Sequence, residues 1–195
     1  MQELNRTFVG IRLPIDAQQK LAEVQLTIRH KAGSDVVRFS NTAETQIVLM
    51  SLGELNTLTF ENVKTTLPRV AAQFKPFPIT LEGLGGTPSN LQPRFVWTAI
   101  GGNEAEVIRL HNAVERAMMP IVPGYLAVPF KPHVDLGRMK IESEANRTAL
   151  GRAIKMAQVG VIYQMEVSHL ELFRSTATTQ GPHLLSYGTY PLTQA

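Results

Sequence analysis

Val9, Ile11 and Leu13 alternate with Phe8, Gly10 and Arg12, and Pro14 ends the run, which predicts a first strand over Thr7 to Leu13. Ala17, Leu21, Val24 and Ile28 then recur at spacings of four, three and four, one face of an amphipathic helix. Val36 to Phe39 and Gln46 to Leu52 read as two more strands, the second closed by Gly53-Glu54. Phe60, Val63, Leu67, Val70 and Phe74 make a second helical stripe, which Pro68 is expected to kink or break because proline offers no amide hydrogen. Ile79 to Leu84 is a further strand, and Gly85-Gly86 reads as its turn.

The pattern then restarts. Phe95 to Ile100 is a strand with Trp97 expected inside it, Gly101-Gly102 reads as a turn, and Val107, Leu110, Val114 and Ala117 mark a helix. The Pro/Gly-rich stretch Pro120 to Pro129 leads into a strand over His133 to Arg138. Leu150, Ala153, Ile154 and Ala157 mark another helix, and strands around Val161 to Phe173 and Leu185 to Leu192 finish the chain. The repeated element order hints at an internal duplication with approximate halves 1–88 and 93–195. It predicts an α+β protein with antiparallel-rich sheets. Nothing reads as a flexible linker, so residues 1–195 are expected to form one bilobal unit.

Five segments, in order, are similar to the bacterial and archaeal RNA 2',3'-cyclic phosphodiesterases, also called 2'-5' RNA ligases, of the two-histidine (2H) phosphoesterase superfamily. Arg6 to Pro14 resembles the family's opening strand. Val37-Arg38-Phe39 followed by Gln46 to Glu54 falls where the first His-x-Thr motif and its Leu-Gly-Glu tail belong. Pro93 to Trp97 resembles the strand that opens the second half, and Phe130 to Arg138 resembles the second motif with its Pro-His and Leu-Gly-Arg flanks. Leu170 to Ser175, with Gly181-Pro182 beyond, fits the family's tail. The resemblance implies two pseudo-symmetric sheets with helices on their outer faces and a central cleft. The two motif strands are expected mid-sheet, facing each other. In the family one histidine acts as base and the other as acid in opening a cyclic phosphate, while hydroxyl partners hold the phosphate oxygens. Such chemistry calls for no cofactor and no metal.

Alternation locates the motif positions independently of the family, because residues two apart in a strand share a face. Val134 and Leu136 belong to the core, which puts His133 and Asp135 in the cleft and Arg138 on the opposite face. Ile47 and Leu49 belong to the core, which puts Gln46, Val48 and Met50 in the cleft. The first motif is therefore Gln46-Ile47-Val48 and the second His133-Val134-Asp135; His133 is the one retained motif histidine. Gln46 hydrogen-bonds but exchanges no proton near neutrality, and Val48 offers no donor. Asp135 repels phosphate and is expected to pair with His133, raising the imidazole pKa. Phe8, Arg12 and Arg94 are the candidate ligand-binding side chains. His169 and Glu171 share a face of a late strand and read as a partly exposed surface pair. His30 reads as solvated and His111 as packed. His133, Asp135 and Gln46 fall short of a zinc or iron ligand set.

Composition narrows the partners only a little. The 195 residues are 44% hydrophobic and 18% charged, ordinary globular values. The net charge of +3 permits an anionic ligand but lacks the density of a dedicated nucleic-acid binder. Without cysteine there is no disulfide or thiolate chemistry. No secretory leader or membrane span is visible, so a cytoplasmic protein is expected. Three functions stay open: a catalytically impaired 2H-fold protein binding a nucleotide or small ligand, an active phosphodiesterase on 2',3'-cyclic phosphate ends of RNA or nucleotides, and an RNA- or protein-binding module.

Overall fold

The computed structural model describes residues 6–178 and 181–194; the stretch 1–5, on which the expectation of no leader partly rests, lies outside the described residues. Nine strands and four helices alternate along them. In order they are β1 (Arg6–Arg12), α1 (Ile15–Ala32), β2 (Val37–Phe39), β3 (Gln46–Gly53), α2 (Thr57–Ala71), β4 (Phe77–Thr87) and β5 (Phe95–Gly102). Then follow α3 (Glu104–Met118), β6 (His133–Met139), α4 (Glu144–Ala157), β7 (Val161–Val167), β8 (His169–Thr178) and β9 (Gly181–Pro191).

Local chemistry sets the helix ends. Pro14, extended at ψ 157°, precedes α1, and Gly33 at φ 104° ends it in a conformation that disfavours any side chain. The Asn56 side chain accepts from the Thr59 amide at 2.8 Å to cap α2, and Ser143 does the same for Asn146 at 3.1 Å in α4. Of the two expected outcomes, kink or break, the break does not occur: α2 continues through Pro68. The proline lies in the last turn, where its carbonyl still accepts from the Ala72 amide at 3.0 Å.

Every strand pairing is antiparallel. One sheet runs β3-β1-β8-β9 and the other β2-β6-β5-β4-β7. Helices α2 and α3 pack on the first sheet, while α1 and α4 pack on the second and on each other. Apolar residues from both sheets and all four helices, among them Ile47, Leu49, Leu67, Leu110, Val134 and Leu150, form one core. Each such side chain contributes about 1.5–3 kcal/mol on burial.

The two sequence halves are not the two lobes, because each sheet draws strands from both. Residues 88–94 are the connection of the β4–β5 hairpin, and Ser168 alone separates β7 in one sheet from β8 in the other. Symmetry is visible in the path instead. β1-α1-β3-α2 and β5-α3-β6-α4 follow the same course, and α1 and α3 each leave the sheet of the preceding strand to cover the other sheet. The motif strands are not both central: β3 is a sheet edge, whereas β6 has β2 beyond it. They approach within 8 Å between Cα atoms.

Candidate active site between the two motif strands

In β3, Val9 faces Met50 and Gly10 faces Val48, so Leu49 is an extra residue in a β-bulge. In β6, Val96 faces Gly137 and Trp97 faces Asp135, so Leu136 is extra in the same way. Each bulge inverts the alternation beyond it. Gln46 is half-buried and Val48 exposed, away from the core as alternation requires, but Met50 is buried and Ser51 takes the exposed position. His133 and Asp135 also face outward as expected, but Arg138 shares their face and does not oppose it. Both corrections have the one cause. Gly10 makes the first bulge possible, since a Cβ there would lie 2.5 Å from the Ile47 carbonyl oxygen.

His133 is held at both ring nitrogens. Nδ1–H donates to the Lys131 carbonyl at 2.7 Å, and Nε2 lies 3.4 Å from Asp135 Oδ1, an ion pair at the long limit of a hydrogen bond. Asp135 is the main reason that the imidazole pKa is raised; partial burial opposes it, and the Lys131 carbonyl adds to it. The pairing foreseen from alternation is therefore present. Trp97, expected to be buried, is half-exposed, with its ring centroid 5.8 Å from that of His133. Its indole lies across Gly85, where a Cβ would come within 2.1 Å of the ring, and Lys131 Nζ sits 4.7 Å above it. The glycine pairs 85–86 and 101–102 thus belong to strands β4 and β5, not to turns.

Across the cleft, Gln46 pairs with Arg12, and its Oε1 is buried without a hydrogen-bond partner. Val48 is 38% exposed and offers only methyl groups. Arg12 is already engaged: its guanidinium donates to both Glu171 oxygens at 3.0–3.2 Å and stacks 4.9 Å over Phe173. Glu171 is 4% exposed, so its reading as a surface residue is corrected. The pairing of β8 with β1 places Glu171 opposite Gly10 and Phe173 opposite Phe8, on the same face as Arg12. His169 is half-exposed beside Ser168 Oγ at 3.1 Å.

The remaining candidates separate. Phe8 is half-buried on the cleft face. Arg94 is not beside His133; it pairs with Glu142 at the far end of β6 and lines an open pocket of about 510 Å³ with Arg38, Phe95, Arg138 and Lys140. His111 is packed, with Nδ1 at 2.8 Å from the carbonyl of the bulge residue Leu49 and its ring stacked 3.9 Å from Phe130. His30 is exposed. Among the described residues no group of three or more His, Cys, Asp or Glu side chains is placed to hold a metal ion, and no helix is long and apolar enough to cross a membrane.

The two motif strands share the same bulge and approach within 8 Å between Cα atoms, and the comparisons with known proteins assign this arrangement to the 2H phosphoesterase fold. A family model described as the 2'-5' RNA ligase superfamily matches residues 47–179. The RNA 2',3'-cyclic phosphodiesterase of Aeropyrum pernix is 32% identical over 136 residues, 70% of this chain and 75% of that protein. The protein of the same name from Archaeoglobus fulgidus is 27% identical over 91% of this chain and 94% of its own length. Among solved structures, TT0787 of Thermus thermophilus superposes with a TM-score of 0.78 at 21% identity, covering 97% of this chain and 98% of that one. The chain belongs to the 2'-5' RNA ligase superfamily of 2H phosphoesterases.

Proposed function

We propose that the cleft between β3 and β6 binds 2',3'-cyclic phosphate ends of RNA or nucleotides and hydrolyses them slowly or not at all. The curated relatives are called RNA 2',3'-cyclic phosphodiesterases, and E. coli LigT, of the same fold at 17% identity, has been solved with 3'-AMP. The observation that carries the reading is the setting of His133, whose Nδ1–H donates to the Lys131 carbonyl and whose Nε2 faces Asp135, which raises the imidazole pKa.

Opening a cyclic phosphate by in-line attack needs a base to take the proton of water and an acid to give one to the leaving oxygen. By raising its pKa, Asp135 makes His133 a weaker acid and favours the protonated form, which cannot serve as the base. Gln46 supplies neither function. The phosphate meets no hydroxyl at Val48 and a carboxylate at Asp135, where two like charges about 4 Å apart cost roughly 1 kcal/mol in water and more in a drier cleft. Losing one acid–base partner alone slows such reactions by about two to four orders of magnitude. Ligand binding survives these losses better than turnover, because His133, when protonated, attracts phosphate and Phe8 offers an aromatic face.

Turnover of a 2',3'-cyclic nucleotide near pH 7, measured beside its equilibrium binding, tests the reading. Measurable binding with turnover near background is expected. Robust turnover abolished by His133→Ala would establish an active phosphodiesterase instead, and no binding at all would favour an RNA- or protein-binding module.

A further inference from the structure

Beyond the bulge at Leu136 the outer face of the second sheet changes character. Arg138 of β6 lies directly opposite Arg38 of β2 on one side and Phe95 of β5 on the other, and all three are exposed. Like charges placed directly across a strand pair destabilise a sheet. Arg94 is neutralised by Glu142, and Lys140 by Asp35 at 3.1 Å, but among the described residues Arg38 and Arg138 have no carboxylate partner. Two adjacent guanidinium forks without counter-ions suit a phosphate, whose oxygens accept paired N–H bonds.

Position gives this pair its meaning. Arg138 follows His133 by five residues on the same face, about 15 Å along the strand. Trp97 and Phe95, two residues apart on β5, form aromatic rungs across that interval, one opposite Asp135 and the other opposite Arg138. Aromatic faces and cations alternating along an open sheet are how single-stranded RNA is held without reading its sequence. A 2',3'-cyclic phosphate sits at the 3' end of its strand, so the rest of the molecule extends in the 5' direction only.

We infer that Arg38 and Arg138 form a subsite for an internal phosphate of single-stranded RNA, a few nucleotides 5' of the end in the cleft, with a base stacked on Phe95. This rests on the cleft holding the cyclic end, and it makes an oligonucleotide, not a mononucleotide, the ligand that fits. The test is fluorescence-anisotropy binding of a labelled uridine octanucleotide ending in a 2',3'-cyclic phosphate, beside 2',3'-cyclic UMP as competitor. The octamer should bind at least about tenfold tighter at low salt. Replacing both arginines (Arg38→Ala with Arg138→Ala) should remove that advantage, leave binding of cyclic UMP unchanged, and lower the slope of log K against log salt by about 0.7 for the one lost single-strand phosphate contact. Phe95→Ala should weaken the octamer by about tenfold. Thermal melting, together with the pair Arg38→Gln and Arg138→Gln, controls for misfolding. Equal binding of octamer and cyclic UMP, an unaffected double variant, or polyglutamate competing as well as RNA would each overturn the subsite. An octamer ending in a 3'-hydroxyl that binds as tightly, still through the arginines, would keep the subsite and overturn the cleft reading.

Discussion

From Gln46 and from His133, β3 and β6 run through the same seven steps: half-exposed, buried, exposed, buried, buried, exposed, buried. In each, the fourth residue is the bulge. The chemistry presented on those matched backbones differs at every outward position: Gln46 against His133, Val48 against Asp135, Ser51 against Arg138. The partner strands differ too, with Arg12 and Gly10 on β1 standing where β5 has Ala99 and Trp97, although Phe8 and Phe95 agree. The backbone is fixed by core side chains at Ile47, Leu49, Val134 and Leu136, all 2% exposed or less, whereas outward positions change with little cost to packing. One half-site has become small and neutral while the other has become densely charged.

Making the two strands alike again should give the largest effect. Gln46→His, Val48→Thr and Asp135→Thr, with His133 kept, would restore a proton-exchanging group and a hydroxyl on each side. Removing Asp135 also frees His133 to titrate closer to its ordinary value near 6.5. Cyclic phosphodiesterase activity of the triple variant should exceed that of the parent by at least about a hundredfold. A folded variant that stays inert would show that the matched backbones no longer face each other in a reactive geometry.

Stability offers a sharper contrast at the fifth position. Met50 fits there because β3 is an edge, but in β6 the same place is Gly137, where a Cβ would lie 2.8 Å from the Arg38 carbonyl oxygen and 2.9 Å from Val37. Gly137→Ala should push β2 away and destabilise the protein by about 2 kcal/mol, read as a lower urea midpoint. An unchanged midpoint would mean that β2 is too loosely held to distinguish the two strands.

Hydrophobic periodicity made the four helices and the motif strands legible, along with the faces of Gln46, Val48, His133 and Asp135. It failed where the period itself breaks. The adjacent apolar pair Leu49-Met50, followed by Leu52, departs from strict alternation and marks the bulge; read as plain alternation, it misplaced Met50 and, in the second strand, Arg138. Element order suggested the repeat but could not show that strands from both halves would mix in each sheet, because pairing between distant strands leaves no local trace. Glu171 was missed for a similar reason. Its burial depends on Arg12, 159 positions away in sequence.

The smallest effect is a titration, and it tests the asymmetry most directly. His133 has its folded-state pKa raised, chiefly by Asp135. A histidine raised in this way contributes stability that is fully present below its unfolded value, about 6.5, and is lost as pH rises through the folded value. The contribution is modest, because both partners are substantially exposed and solvent screens them. By NMR, the His133 ring should titrate above the ordinary histidine value in the parent and lower in Asp135→Asn. Any stability difference between the two proteins should be confined to the acid side of that transition. Gln46 has nothing to titrate, so phosphate-end binding should fall in a single step as pH rises through the His133 value, without the second limb that a pair of histidines would give. Gln46→His should add that limb. A second falling step with Gln46 in place, or a His133 midpoint indifferent to Asp135, would show that β3 contributes a proton-exchanging group after all or that the ion pair across β6 does not form in solution.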